Sequence, residues 1–255
     1  MAMTRNEQLD YLIQILSPSI PLPQTTEDKW LLFRGIVNTR EPKPVSNEFL
    51  TVQNDLLQSL IAEKSITDLT VLRPIKDNVY LWRGDIVTLK IDAIVNAANS
   101  GMLGCFMPCH VCIDNAIHTF AGVQLRLKCA EVMEKQGHPE PTGNAKITAA
   151  YNLPCNYILH TVGPIIRDTV NDKDKRLLAS CYRSCLELAV QNGIKSIAFC
   201  CISTGEFHFP NKEAAKIAIQ TVFDFIKTEN HSRDINVIFN VFKEEDEQIY
   251  KRLLG

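Results

Sequence analysis

The chain has no excess of one sign of charge, no long apolar run and no ordered leader, and each absence removes a class of function. Across 255 residues the formal net charge is −2, and no Lys/Arg-rich segment disturbs that balance. The basic field that draws nucleic acid is therefore missing, both globally and locally. No stretch is apolar and long enough to span a bilayer. Residues 1–16 are interrupted by Asn6, Glu7, Gln8 and Asp10, so they lack the apolar centre of a secretory leader. The expectation is a protein with neither nucleic acid nor membrane as partner. An anionic small molecule remains open, because backbone N–H groups and helix N-termini hold anions without cationic side chains.

What is present points to a buried core and to metal. There are 9 cysteines, an odd number, and Cys155, Cys200 and Cys201 lie inside apolar runs. That usage suits reduced thiols in the cytoplasm, where clustered cysteines signal metal or chemistry rather than disulfides. With 45% hydrophobic and 22% charged residues, the chain can build one large α/β core and a smaller appendage.

Two textures divide the chain at roughly residue 70. Residues 1–70 read as helical: Leu9, Leu12, Ile13 and Leu16 share one face. Thr26, Glu27 and Asp28 open a second helix, with Trp30, Leu31, Phe33 and Val37 as its bulk. A third covers 54–63, and proline-rich stretches at 17–23 and 41–44 separate the three. No catalytic motif lies here, so a helical cap or docking module is expected. Over 71–255, β-branched runs at 79–82, 93–95, 145–149, 157–162, 196–202 and 235–242 alternate with helical stretches at 113–136, 173–192, 212–229 and 244–254. That rhythm predicts a three-layer α/β domain with a largely parallel sheet. Ligands of such folds lie beyond the carboxyl ends of the strands, where 96–114 and 203–209 fall.

Three segments at those ends carry chemistry. Asn96-Ala97-Ala98-Asn99 follows the strand Ile94-Val95; its carboxamides suit either a helix cap or a ribose, to which they can donate and accept at once. The loop 104–114 places Cys105, Cys109, His110 and Cys112 together, the ligand types zinc prefers. Cys105, His110 and Cys112 as three ligands leave a position for water or substrate, which marks a catalytic zinc. Cys109 as a fourth ligand would close the site and make it structural, and a loop with no metal is the remaining alternative. Asp114 reads either as a helix-start acid or as a carboxylate that activates water, and His118 as a satisfied structural histidine. Ser203-Thr204-Gly205-Glu206-Phe207 ends the most apolar strand; its small residues suit a phosphate cradle, and Phe207 could stack on a sugar or base.

Together these segments resemble the macrodomain family, which binds ADP-ribose. The likeness runs over about residues 80–255. It rests on Arg83-Gly84-Asp85-Ile86, Asp92-Ala93-Ile94-Val95-Asn96-Ala97-Ala98-Asn99, Ile113-Asp114-Asn115-Ala116-Ile117-His118, Pro141-Thr142-Gly143-Asn144-Ala145, His160-Thr161-Val162-Gly163-Pro164 and Ser203-Thr204-Gly205. Where hydrolytic macrodomains carry a glycine run, this chain has Cys105 to Cys112, as in the zinc-dependent branch. Members of that branch have a helical N-terminal extension and occur in bacteria beside a sirtuin-type ADP-ribosyltransferase. The resemblance implies a three-layer α/β/α macrodomain at 71–255 with a mixed, largely parallel sheet, preceded by a small helical extension at 1–70.

It also implies roles for single residues. Asp85 accepts from the adenine amino group with the Ile86 backbone beside it. Asn99, Cys112, Ile113 and Asp114 line the distal ribose and phosphate. Ser203, Thr204, Gly205, Glu206 and Phe207 cradle the diphosphate, and Cys105, His110 and Cys112 bind one Zn²⁺. Asn99 and Asp114 are the expected catalytic residues. The implied reaction is zinc-dependent removal of mono-ADP-ribose from a modified protein, from Asp or Glu esters above all, with ADP-ribose as product. Two alternatives are a non-catalytic reader of ADP-ribosylated protein and a deacetylase of O-acetyl-ADP-ribose; a redox sensor built on Cys105 and Cys112 is a third.

Overall fold

Strands form where β-branched and aromatic residues run together, and helices where apolar residues recur at helical spacing. The computed structural model describes residues 3–228 and 234–255. Helices α1 (Arg5–Leu16), α2 (Thr26–Thr39) and α3 (Asn47–Glu63) come first, each started by a hydroxyl cap at Thr4, Thr25 or Ser46. The Ser46 cap starts α3 seven residues earlier than the expected 54–63 segment. These helices bury a small core of Leu9, Leu12, Ile13, Phe33, Phe49, Val52 and Leu56. Leu57 and Ile61 of α3 belong instead to the main core of the molecule.

A two-residue ladder joins β1 (Thr67–Asp68) to β3 (Leu89–Lys90). The main sheet holds β2 (Val79–Arg83), β4 (Ala93–Ala98), β5 (Ala145–Ala149), β6 (Tyr157–Val162), β7 (Ser196–Phe199) and β8 (Asn236–Val241). Their order is β2-β8-β7-β4-β6-β5, parallel throughout except for antiparallel β5 against β6. Helices α4 (Ile113–Ala121) and α5 (Val123–Gln136) pack with each other, and α4 also meets α2 and α3. On the other side α6 (Asp172–Gln191), α7 (Asn211–Thr228) and α8 (Glu244–Leu254) pack in a row. The three-layer α/β/α fold with a mixed, largely parallel sheet is thus present, with the helical segment ahead of it.

Three expected boundaries move for physical reasons. The single helix at 113–136 is two, because Gly122 sits at φ +98 between α4 and α5, where a Cβ would lie 2.6 Å from the Gln53 and Gln124 side chains. Strand 93–95 continues to Ala98, since β6 pairs with all six residues of β4. The run 196–202 stops being strand at Phe199, where pairing with β8 ends. The last residue of the expected helix 212–229, Glu229, lies outside the described residues.

The sheet's central pair sets the position of the site. β4 bonds β6 along its whole length but bonds β7 only at Ala93 and Ile94. Beyond that point the two strands part. Their following connections also diverge, one towards β5 and β6, the other towards β8. A crevice at such a switch point is where open α/β sheets bind ligands.

Candidate metal and ligand site

The floor of the crevice is a buried polar network. Asn96 and His160 are register partners on β4 and β6, so their side chains share one face. Asn96 Nδ2 donates to Asp114 Oδ1 at 2.8 Å and lies 3.2 Å from His160 Nδ1, while His160 Nε2 meets Thr148 Oγ1 at 2.9 Å. Burial pushes His160 down to about 4, so its ring is neutral near pH 7. Asn99 donates to Asp114 Oδ2 at 3.4 Å and to the Gly104 carbonyl at 3.1 Å. Burial raises the Asp114 carboxyl to about 6, against the Asn96 hydrogen bond and the Arg126 charge, which hold it down. His118 is buried as expected but is not satisfied. Neither ring nitrogen finds a hydrogen bond among the described residues, and Nε2 faces Asp114 Oδ1 at 3.6 Å.

Above this floor the loop 104–112 brings Cys105, His110 and Cys112 together, with their donor atoms all within 4.8 Å of one another. Cys105 Sγ lies 3.6 Å from His110 Nδ1. Zinc bonds of about 2.3 Å to sulfur and 2.0–2.1 Å to nitrogen, opened to the tetrahedral angle, put S and N about 3.5 Å apart. The donor set therefore fits one zinc ion in both chemistry and spacing. Nε2 of His110 faces Glu206 Oε1 at 3.6 Å, the carboxylate partner common for a metal-ligating imidazole. Cys112 is the N-cap of α4, its sulfur accepting from Asn115 N–H at 3.4 Å. Burial, with Cys105 and Asp114 nearby, pushes the Cys112 thiol up to about 12, against the Asn115 N–H.

Cys109 stands outside this group of donors. Its backbone lies at a left-handed φ of +53, and its sulfur sits against α2, near Gly35. The Cys109 sulfur instead donates to the Leu31 carbonyl of α2 at 3.3 Å. A second trio, His118, Cys129 and His160, also groups its donor atoms, wholly inside the core. Both nitrogens of His160 are already bonded, and burial raises the Cys129 thiol to about 12, so this trio is core packing.

The turn after β7 stands opposite. Ser203 holds a left-handed φ of +65 with its side chain buried, and its Oγ has no hydrogen bond among the described residues. The turn closes on itself through His208 N–H to the Gly205 carbonyl at 3.0 Å and Phe209 N–H to the Ser203 carbonyl at 2.9 Å. Phe207 is half-buried and accepts from Ile166 N–H at 2.8 Å. Thr204 turns its hydroxyl back to the Cys201 carbonyl, and Gly205 and Glu206 are exposed. Asp85 lies at the start of the 3-10 turn Ile86–Thr88, capping Val87 N–H and bridging to Lys64 at 2.8 Å. Ile86 itself is buried, and Ile113 is half-buried at the start of α4.

Sequence reasoning missed the residues that hold the loop. Arg34 and Asn38 of α2 and Arg126 of α5 all bond its backbone. The only signal available was a polar residue at a buried helical position, such as Asn38 one turn after Arg34.

Comparison with known proteins agrees with this fold. The Macro domain family matches residues 95–218. A protein-ADP-ribose hydrolase of Treponema medium is 53% identical over 99% of this chain and 100% of its own. Among solved structures, a Trypanosoma brucei macrodomain in complex with ADP-ribose superposes with a TM-score of 0.67 at 30% identity, covering 87% of this chain and 95% of that one. An Oceanobacillus iheyensis macrodomain with ADP gives 0.64 at 39% identity, over 72% and 94%.

Proposed function

The chain belongs to the macrodomain family, and on that premise we propose that it is a zinc-dependent hydrolase that frees mono-ADP-ribose from modified protein side chains. Asp and Glu esters are the first substrates we assign to it, and a sirtuin-type ADP-ribosyltransferase is the partner whose modification it reverses. The observation that carries this reading is the convergence of Cys105, His110 and Cys112 beside the buried carboxylate of Asp114. The names of its relatives support the same class of reaction: the Treponema medium protein is a protein-ADP-ribose hydrolase, and the Trypanosoma brucei macrodomain was captured with ADP-ribose.

Asp85 and the Ile86 backbone would receive the adenine, and residues Ser203 to Phe207 the diphosphate. Such remote contacts position the distal ribose over Asn99, Cys112, Ile113 and Asp114. Zinc held by Cys105, His110 and Cys112 would supply Lewis acidity at the reacting centre. Asp114, with its pKa near 6, is largely ionised at neutral pH and suited to accept a proton. In the step, the bond between the anomeric carbon and the side-chain carboxylate breaks and water oxygen bonds that carbon. The proton of the water passes to Asp114, and the carboxylate leaves with the electron pair. Asn96 and Asn99 hold Asp114 in place from two sides.

Exposed apolar side chains at Met107 and Val111 crown the metal loop and favour a macromolecular substrate over a free metabolite. Metal analysis of the purified protein, joined to release of ADP-ribose from a modified protein with and without chelator, tests the whole reading. Zinc near one per chain and chelator-sensitive release are expected. Full activity after complete metal removal would sink it, and tight ADP-ribose binding without release would favour a reader.

A further inference from the structure

The loop that carries the three donors has little structure of its own. Within Cys105 to Cys112 a single backbone hydrogen bond is described, His110 N–H to the Met107 carbonyl at 3.3 Å. The rest of its framing comes from outside, and mostly from α2. Arg34 Nη2 donates to the His110 carbonyl at 2.8 Å and to Asn115 Oδ1 at 2.9 Å. Asn115 in turn donates to the Met107 carbonyl at 3.0 Å, and its N–H reaches Cys112 Sγ. Asn38, fully buried, accepts from Cys109 N–H at 2.9 Å and donates to Thr119 Oγ1 at 3.0 Å, tying the loop to α4. Arg126 caps the end of α2 through the Val37 and Arg40 carbonyls and extends its other Nη to the Cys105 carbonyl at 3.4 Å. The bonds to the His110 and Cys105 carbonyls and to Cys109 N–H fix the backbone of a donor residue or of its neighbour.

We propose that α2 is the outer frame of the metal centre, with Arg34 and Asn38 as positioning residues that make Cys105, His110 and Cys112 converge. This rests on the zinc reading above and gives the N-terminal helices a function in that site. A loop without intrinsic order would otherwise lose conformational freedom when it closes around an ion, and groups that hold metal ligands in place contribute to affinity accordingly. By reciprocity, whatever α2 adds to zinc affinity, zinc must return to the docking of α2.

The test uses the full chain, with zinc or cobalt alone as the probe. Arg34→Met and Asn38→Leu should weaken zinc, in competition with a chromophoric chelator, by about 10- to 100-fold. Arg34→Lys, which keeps one donor for the His110 carbonyl, should recover most of the loss. The cobalt-substituted variants should show shifted ligand-field bands, and in the wild type zinc should slow amide exchange in α2. Circular dichroism establishes that each variant is folded; should Arg34→Met fail to fold, Asn38→Leu carries the test. Wild-type zinc affinity and an unshifted cobalt spectrum in a folded variant overturn the proposal. A wild-type protein that takes up no zinc overturns the metal reading instead.

Discussion

The two loops that face each other across the crevice are built in opposite ways. The turn Ser203–Phe209 closes through its own backbone, and its tight entry is set by the left-handed Ser203. The loop Cys105–Cys112 has almost no bonds of its own and is shaped by a helix 71 to 76 positions earlier in the chain. A self-closing turn presents backbone N–H groups, which suits an anion of fixed shape. An externally framed loop presents side chains whose convergence can be tuned without changing the donors.

The comparison can be broken most strongly at the framed loop. Cys112→Ala should lose the metal and lower turnover by roughly 10³-fold, the scale of several kcal/mol of transition-state stabilisation, while the melting curve shows an intact fold. Metal content and ADP-ribose release from modified protein measure this. Asp114→Asn comes next, with turnover down about 10²-fold or more at unchanged zinc content. Equal activity in that variant would remove the carboxylate from the mechanism.

The floor beneath both loops should respond to acid. Folded His160 takes a proton only near 4, whereas in the unfolded chain it does so at its ordinary value of 6.5. The unfolded state therefore binds more protons as pH falls through that window, and stability drops. The loss attributable to His160 is about 3 kcal/mol between pH 6.5 and 4. Denaturant melts at pH 7 and 4.5 should diverge in the wild type and diverge less in a folded His160→Gln variant, in which buried His118 still resists protonation.

Smaller changes sharpen the self-closing turn. A Cβ at Gly163 would lie 2.0 Å from Ser203 Oγ, so Gly163→Ala should destabilise by about 1–3 kcal/mol through overpacking. A Cβ at Gly205 meets nothing within 4 Å, so Gly205→Ala should change stability by less than about 0.5 kcal/mol. If the diphosphate rests on that backbone, ADP-ribose titration should still show weaker binding for Gly205→Ala. Unchanged affinity would move the anion elsewhere.

The same contrast governs what could be read from the residues. Strand runs such as Val237-Ile238-Phe239 and the helix at 244–254 carry their periodicity locally and match the structure. The grouping of Cys105, His110 and Cys112 was legible because residue type and closeness in the chain are local facts. The seating of Cys109 against α2 was not, since it depends on a left-handed φ and a carbonyl on α2. Arg34 and Asn38 left only the faint signal of a polar residue at a buried helical position: each looks like an ordinary polar position on an amphipathic helix until the loop is laid against it. Gly122 could have been recognised as a break, but a single glycine inside a helical pattern is often tolerated.

The contacts made by Arg34 and Asn38 have one more consequence, in the order of events along the chain. They join residues 76, 81 and 71 positions apart. Contacts of such separation form only after the intervening chain has been gathered in. A peptide spanning residues 104–114 would hold every donor and none of the frame, and should bind zinc far more weakly than the whole protein. Competence to hold the ion then belongs to the finished fold, and arrives only when the first-made helices meet a segment made much later.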